Sequence, residues 1–141
     1  MKKAAVIYWS GTGNTEAMAN AVLKGMRTVN PGAEIYTPSD VTASVIDSLE
    51  AIAFGCPAMG SESLEDGEFA PMFDDFKGKL AGKKVALFGS YGWGDGEWMR
   101  TWEDDCRSAG ITLAADSVVC CEAPDDAGLE ACKELGKTLA G

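Results

Sequence analysis

Residues 4–15 read Ala4-Ala5-Val6-Ile7-Tyr8-Trp9-Ser10-Gly11-Thr12-Gly13-Asn14-Thr15, an apolar run followed by a turn of glycines and hydroxyl residues. The apolar run predicts a buried strand, and helical periodicity follows as far as Val29. Backbone N–H groups converge where a strand passes through such a turn into a helix, and the helix dipole adds a positive potential. The sequence therefore predicts an anion site at this turn.

The predicted anion site would hold its ligand with neutral groups. Ser10, Thr12 and Thr15 supply hydroxyls and Asn14 supplies an amide, but the turn contains no Lys or Arg. Phosphoryl transfer needs cations to offset the charge that develops on the phosphate. The turn therefore favours the phosphate of a tightly held cofactor over a phosphate in transfer.

Short apolar runs alternate with helical patterns along the chain, which predicts one α/β domain covering residues 1–141. Near-continuously apolar strands are typical of a parallel sheet covered on both faces, here an open doubly wound sheet. We expect Trp9, Trp98 and Trp102 to lie in its core. The predicted strands are 4–9, 34–37, 51–56, 84–89 and 111–119, and the predicted helices are 14–29, 42–47, 68–76, 97–109 and 125–139.

Composition narrows the function classes. The net charge of −10 argues against nucleic acid and anionic membranes as partners. No Lys or Arg lies between Arg27 and Lys77, a stretch rich in Asp and Glu, which indicates a negative face that attracts basic partner proteins. The chain has five Cys without a CxxC motif and no His, so we expect no metal site, reduced thiols and a cytoplasmic location.

Two other loops at strand ends contain unusual residues. Met59 offers a polarizable surface, and Trp93 stands among glycines with no regular element to bury it. Together with the phosphate turn, these two side chains predict a flat ring carrying one phosphate, and FMN fits best. The two loops read Cys56-Pro57-Ala58-Met59-Gly60-Ser61-Glu62 and Gly89-Ser90-Tyr91-Gly92-Trp93-Gly94-Asp95-Gly96.

The three loops together, in this order and spacing, resemble the FMN site of short-chain flavodoxins, of the type found in anaerobic fermentative bacteria. The resemblance covers essentially the whole chain. It implies a flavodoxin-like fold, with a doubly wound five-stranded parallel sheet in the order 2-1-3-4-5 and helices on both faces.

The resemblance also implies a role for each loop. The phosphate ligands would be Ser10, Gly11, Thr12, Gly13, Asn14 and Thr15. Met59 and Trp93 would enclose the ring, Glu62 would accept from flavin N3–H, and the Gly60 carbonyl would turn toward N5. The other residues at the flavin would be Pro57, Ala58, Ser61, Ser90, Tyr91, Gly92, Gly94 and Asp95.

One position departs from the family pattern. Some relatives carry a hydroxyl residue that binds phosphate where this chain has Pro57, which has no hydroxyl and cannot make that contact.

The implied function is a low-potential one-electron carrier with tightly but non-covalently bound FMN, shuttling between semiquinone and hydroquinone in place of ferredoxin. An acidic rim would disfavour the anionic hydroquinone, and it includes Glu62, Glu65, Asp66, Asp95 and Glu122. The expected partners are basic-faced ferredoxin- or flavodoxin-dependent oxidoreductases that meet a cytoplasmic monomer. The sequence shows no nucleophile–base pair, so we expect no substrate turnover by the protein itself.

Other functions fit the sequence less well. An FMN-dependent NAD(P)H:quinone-type reductase of the same architecture stays open, although Trp93 over the outer face of the ring would leave little room for substrate. A P-loop NTPase would need a Gly-Lys-Ser/Thr ending, which is missing. A signalling receiver domain would need an acceptor Asp where Cys56-Pro57 stands.

Overall fold

The computed structural model describes residues 3–11, 13–59, 64–92 and 96–141. Within these residues the strands are β1 (Ala4–Tyr8), β2 (Glu34–Tyr36), β3 (Ala51–Gly55), β4 (Lys84–Tyr91), β5 (Thr112–Leu113) and β6 (Val118–Cys121). The helices are α1 (Asn14–Val29), α2 (Ala43–Ser48), α3 (Phe69–Phe76), α4 (Glu97–Ser108) and α5 (Asp126–Ala140), with 3₁₀ turns at Pro38–Asp40 and Lys77–Lys79. Each helix lies within one residue of its predicted bounds.

The strands form a parallel sheet in the order β2-β1-β3-β4-β5, and β6 also pairs with β4. Val6 lies opposite Ala53, which in turn lies opposite Ala86. The predicted order 2-1-3-4-5 is thereby confirmed. Ligands of such sheets bind outside the carboxyl ends of the strands, where the strand order reverses. In this chain that point lies at the ends of β1 and β3.

The last strand differs from the prediction, because it is broken into β5 and β6. Leu113 pairs with Val85 and Val118 pairs with Phe88, so the chain advances five residues there while β4 advances three. The excess residues cannot stay in the ladder and form a bulge-like connection at residues 114–117. Strand β4 is also longer than predicted and reaches Tyr91, next to the candidate site.

Each face of the sheet is covered by a separate apolar cluster. On one face Phe54, Phe73 and Trp102 pack edge-on, with ring centroids 5.1 Å apart for Phe54–Phe73 and 5.7 Å apart for Phe73–Trp102. On the other face α1 and α5 cover the sheet. Trp98 and Trp102 are 1% and 2% exposed, as expected of core residues. None of the described helices is long and apolar enough to cross a membrane.

Helices α1 and α5 touch through glycines. A Cβ on Gly25 would lie 2.0 Å from the Lys133 carbonyl oxygen, and a Cβ on Gly136 would lie 2.1 Å from the Val22 carbonyl oxygen. The two backbones are therefore closer than any other residue would permit. Since α1 begins at the predicted phosphate turn, this contact also sets the position of that turn.

Candidate functional site

The turn after β1 is closed by its own residues. The Gly13 N–H donates to Ser10 Oγ over 3.1 Å, and Gly13 has φ 94°, a left-handed conformation that glycine adopts without strain. Helix α1 then begins at Asn14, and no side chain of the described residues caps its N-terminus. The first N–H groups of α1 therefore remain available to an anion.

Ser90 joins the three predicted loops. Its hydroxyl lies 2.9 Å from Thr15 Oγ1, and its carbonyl accepts from the Ala58 N–H over 2.9 Å. Thr15 and Ser90 are 1% and 4% exposed. The Tyr91 carbonyl accepts from the Glu122 N–H, which brings the loop after β6 to the same place. The loops that the sequence assigned to one site therefore do meet.

The buried Thr15–Ser90 hydrogen bond makes a testable prediction for stability. We expect Thr15→Val and Ser90→Ala each to cost about 1–2 kcal/mol, because each leaves a buried hydroxyl without its partner. The double variant should cost no more than the larger single one, because both partners are then gone. Denaturant unfolding of the flavin-free protein measures all three, with the exposed Thr138→Val as a neutral control. If the double variant lost as much unfolding free energy as the two single variants added together, the two hydroxyls would not be coupled through this hydrogen bond.

A cleft opens between these loops at the carboxyl ends of the strands. It has about 550 Å³ of empty space, counting the part open to solvent, within the range of small-molecule and cofactor sites. The predicted site residues that line it are Gly11, Asn14, Pro57, Ala58, Met59, Ser90, Tyr91 and Gly92. Ser10, Gly13 and Thr15 form the turn beside it.

The donors and walls of the cleft fit FMN. Neutral N–H and hydroxyl groups at the start of α1 suit a phosphate, while Ala58, Met59 and Tyr91 give apolar walls for a flat ring. Met59 is 36% exposed, among the most exposed large apolar side chains that the structure describes. The described lining contains no Lys or Arg, and Glu122 adds a carboxylate.

The remaining predicted site residues lie outside the described residues. These are Thr12, Gly60, Ser61, Glu62, Trp93, Gly94 and Asp95. Their expected roles at the phosphate and at the flavin ring stay predictions. Pro57 lines the cleft without a hydroxyl to offer a phosphate.

Both ends of the loop that carries Met59 are anchored. At its start, the Cys56 carbonyl accepts from Trp98 Nε1 over 3.2 Å, and the Cys56 sulfur accepts from the Glu65 N–H over 3.3 Å. Burial raises the pKa of the Cys56 thiol to about 12. The thiol is therefore neutral at physiological pH and serves as a packing and hydrogen-bonding group.

The Glu65 carboxylate holds the other end of this loop. It accepts from the N–H groups of Gly67, Glu68 and Phe69 over 2.7, 2.7 and 2.8 Å, at the start of α3. Burial acts to raise the pKa of Glu65, but the three N–H donors outweigh it and hold that pKa below its usual range. Glu65 is thus an ionised anchor, although it is only 8% exposed.

The sequence analysis did not predict that two further residues line the cleft. Trp9 was expected in the core, but it is half-buried and lines the cleft. The apolar run before the turn gave no sign of where burial ends. Glu122 was expected in the acidic rim; it lines the cleft itself, with a φ of 59° that is rare outside glycine.

Comparisons with known proteins agree with the fold. The family model described as "Flavodoxin" matches residues 6–136. The chain is 47% identical to a flavodoxin of Megasphaera elsdenii over 135 residues, covering 96% of each chain. It is 42% identical to a flavodoxin of Clostridium beijerinckii over 137 residues, covering 96% of this chain and 97% of that one.

Among solved structures, two-electron reduced Megasphaera elsdenii flavodoxin superposes with a TM-score of 0.88 and 45% identity. This match covers 97% of this chain and 98% of that chain.

Proposed function

This chain belongs to the flavodoxin family, whose cofactor is FMN, and we propose that it is a low-potential one-electron carrier with tightly but non-covalently bound FMN. Flavodoxins are electron-transfer proteins, and we infer that this one has no substrate turnover of its own. It would serve redox partner enzymes in place of ferredoxin, with residues 1–141 working as one domain.

The observation that carries the proposal is the cleft at the ends of β1, β3 and β4, where the three loops meet at Ser90. When bound, FMN supplies the one-electron redox chemistry. The turn from Ser10 to Thr15 would hold its phosphate with N–H and hydroxyl groups. Met59 and Tyr91 would line its ring, and Trp93, Gly60 and Glu62 are proposed to act there as well.

Electrostatics supports a low potential. Glu122 borders the cleft, Glu65 is an ionised anchor of the neighbouring loop, and the described lining carries no Lys or Arg. The chain as a whole has a net charge of −10. Like charges at short range disfavour the addition of a further negative charge. Reduction of FMN in the cleft is therefore less favourable than reduction of free FMN in water, which lowers the reduction potential.

The partners follow from the same charge, and the location follows from the cysteines. We propose basic-faced, ferredoxin- or flavodoxin-dependent oxidoreductases as transient partners, drawn by the negative surface. We also propose a monomer, because a small carrier must leave the edge of its cofactor exposed to its partners. Cys56, Cys106, Cys120 and Cys132 are buried free thiols and Cys121 is an exposed one, which supports a cytoplasmic location.

An anaerobic reductive titration of the FMN-loaded protein, followed by visible absorbance, tests this function. We expect two separate one-electron steps, with the half-reduced flavin accumulating between them. Bleaching in one two-electron step, together with steady NAD(P)H oxidation by the isolated protein, would instead favour the quinone-type reductase. A protein that takes up no FMN would contradict both functions.

A further inference from the structure

Trp9 lines two cavities. It lines the cofactor cleft with Met59 and Tyr91, and it lines a second cavity with Ser10 and Glu16. The side chain is half-buried, and its backbone is tied to β3 because its N–H donates to the Gly55 carbonyl over 3.0 Å. The orientation of the indole therefore shapes one side of the cleft.

The indole also supports the phosphate turn. A Cβ on Gly11 would lie 2.9 Å from the ring carbon Cη2 of Trp9 and 3.3 Å from its Cζ3. The ring thus lies directly against the Gly11 backbone, which lines the cleft. A shift of the indole would move both the cleft wall and the turn that is proposed to hold the phosphate.

A distant carboxylate holds the indole in place. Trp9 Nε1 donates to Glu68 Oε2 over 2.8 Å, although the two residues are 59 apart in the chain. Glu68 stands at the N-terminus of α3, but its side chain does not cap that helix. Its backbone is fixed by the Glu65 carboxylate, which accepts from the Glu68 N–H. The acceptor for the indole is therefore itself well positioned.

We propose that Glu68 is a positioning residue for cofactor binding, acting through its hydrogen bond to Trp9, which shapes the cleft and supports the phosphate turn. This inference rests on the proposed function, since the cofactor is FMN. The hydrogen bond links the turn after β1 to the start of α3, so it joins the phosphate side of the site to the loop that carries Met59. A negative charge at Glu68 without the hydrogen bond would not hold Trp9 in place.

A set of variants separates the hydrogen bond from the charge. Trp9→Phe removes the donor and keeps an aromatic ring, and Glu68→Met removes the acceptor at similar length. Glu68→Gln keeps an acceptor but loses the charge. Asp66→Asn is the matched control, because Asp66 is exposed on the same loop and its loss removes one negative charge without touching Trp9.

FMN affinity is measured for every variant and for the double variant Trp9→Phe with Glu68→Met. We expect each of Trp9→Phe and Glu68→Met to weaken FMN binding about fivefold, and the double variant to be no weaker than the weaker single one. Glu68→Gln and Asp66→Asn should stay within about twofold of the wild type. The indole N–H resonance of Trp9, followed by NMR with and without FMN, should shift in Glu68→Met and not in Asp66→Asn.

Three outcomes overturn the inference alone. The first is that Glu68→Met binds FMN as tightly as Asp66→Asn does, and the second is that the Trp9 N–H resonance does not move in Glu68→Met. The third is an equal loss of FMN affinity in Glu68→Gln and Glu68→Met, since charge would then explain the effect. Failure of the wild-type protein to bind FMN is a different result, because it overturns the proposed function and the inference with it.

Discussion

Replacing Gly136 with alanine is expected to destabilise the protein by about 3 kcal/mol. In an exposed helix the same change normally stabilises by about 1 kcal/mol, because alanine is the better helix former. Here the added methyl group would lie 2.1 Å from the Val22 carbonyl oxygen and 2.8 Å from the Met26 nitrogen. The sign therefore reverses, because steric overlap with the α1 backbone outweighs helix propensity.

The overlap cannot be relieved by a side-chain rotation. The atoms that the new methyl group meets belong to the backbone of α1, so one helix must move away from the other. Interiors are packed densely enough that such a shift loses contacts along the whole interface. Because α1 begins at the phosphate turn, we also expect FMN binding to weaken.

Denaturant unfolding of the FMN-loaded and flavin-free proteins measures this effect. Gly78→Ala is the matched control, since a Cβ at Gly78 meets no atom within 4 Å, and it should change the unfolding free energy by less than about 0.5 kcal/mol. A Gly136→Ala protein as stable as the control would mean that α1 and α5 are not held at this distance in solution.

The regular elements could be predicted because local signals mark their ends. Helix α1 runs from Asn14 to Val29 as predicted, since Gly13 precedes it and Asn30-Pro31-Gly32 follows it. The break between β5 and β6 was missed for a different reason. The break arises because the chain advances five residues from Leu113 to Val118 where β4 advances three from Val85 to Phe88. No local sequence pattern indicates this difference in length.

The candidate site was predictable where single residues are unusual for their place. Met59 stands out because it is a Met in a loop next to Gly60, and the structure places it on the cleft. Trp9 gave no such signal, because a Trp after an apolar run normally belongs to the core. Its partner Glu68 gave no signal either, because it is one of many acids. Glu65 was predicted in the acidic rim but is a buried anchor, and only the fold distinguishes an anchor from a solvated charge.

Replacing Glu65 with alanine is the second change with a large expected effect, about 3 kcal/mol of unfolding free energy. The carboxylate accepts three N–H groups at the start of α3, and its loss leaves the buried Phe69 N–H without an acceptor. Glu65→Gln should lie between wild type and Glu65→Ala, because its amide keeps one acceptor oxygen. Asp66→Asn, an exposed neighbour, should change little. FMN binding should weaken in the same order, since this anchor holds the loop that carries Met59.

The Glu65 contribution should also depend on pH in a defined direction. Burial acts to raise the pKa of Glu65, but the backbone N–H donors outweigh it and lower that pKa below the ordinary value of 4.5. A carboxyl with a lowered folded pKa contributes stability above its unfolded pKa and loses it as the pH falls through the folded pKa. The gap in unfolding free energy between wild type and Glu65→Ala should therefore be full at pH 7 and shrink as the pH falls below 4.5. Chemical unfolding across this range measures the gap, and a gap that stays constant to about pH 3 would show that the ionised carboxylate is not the anchor.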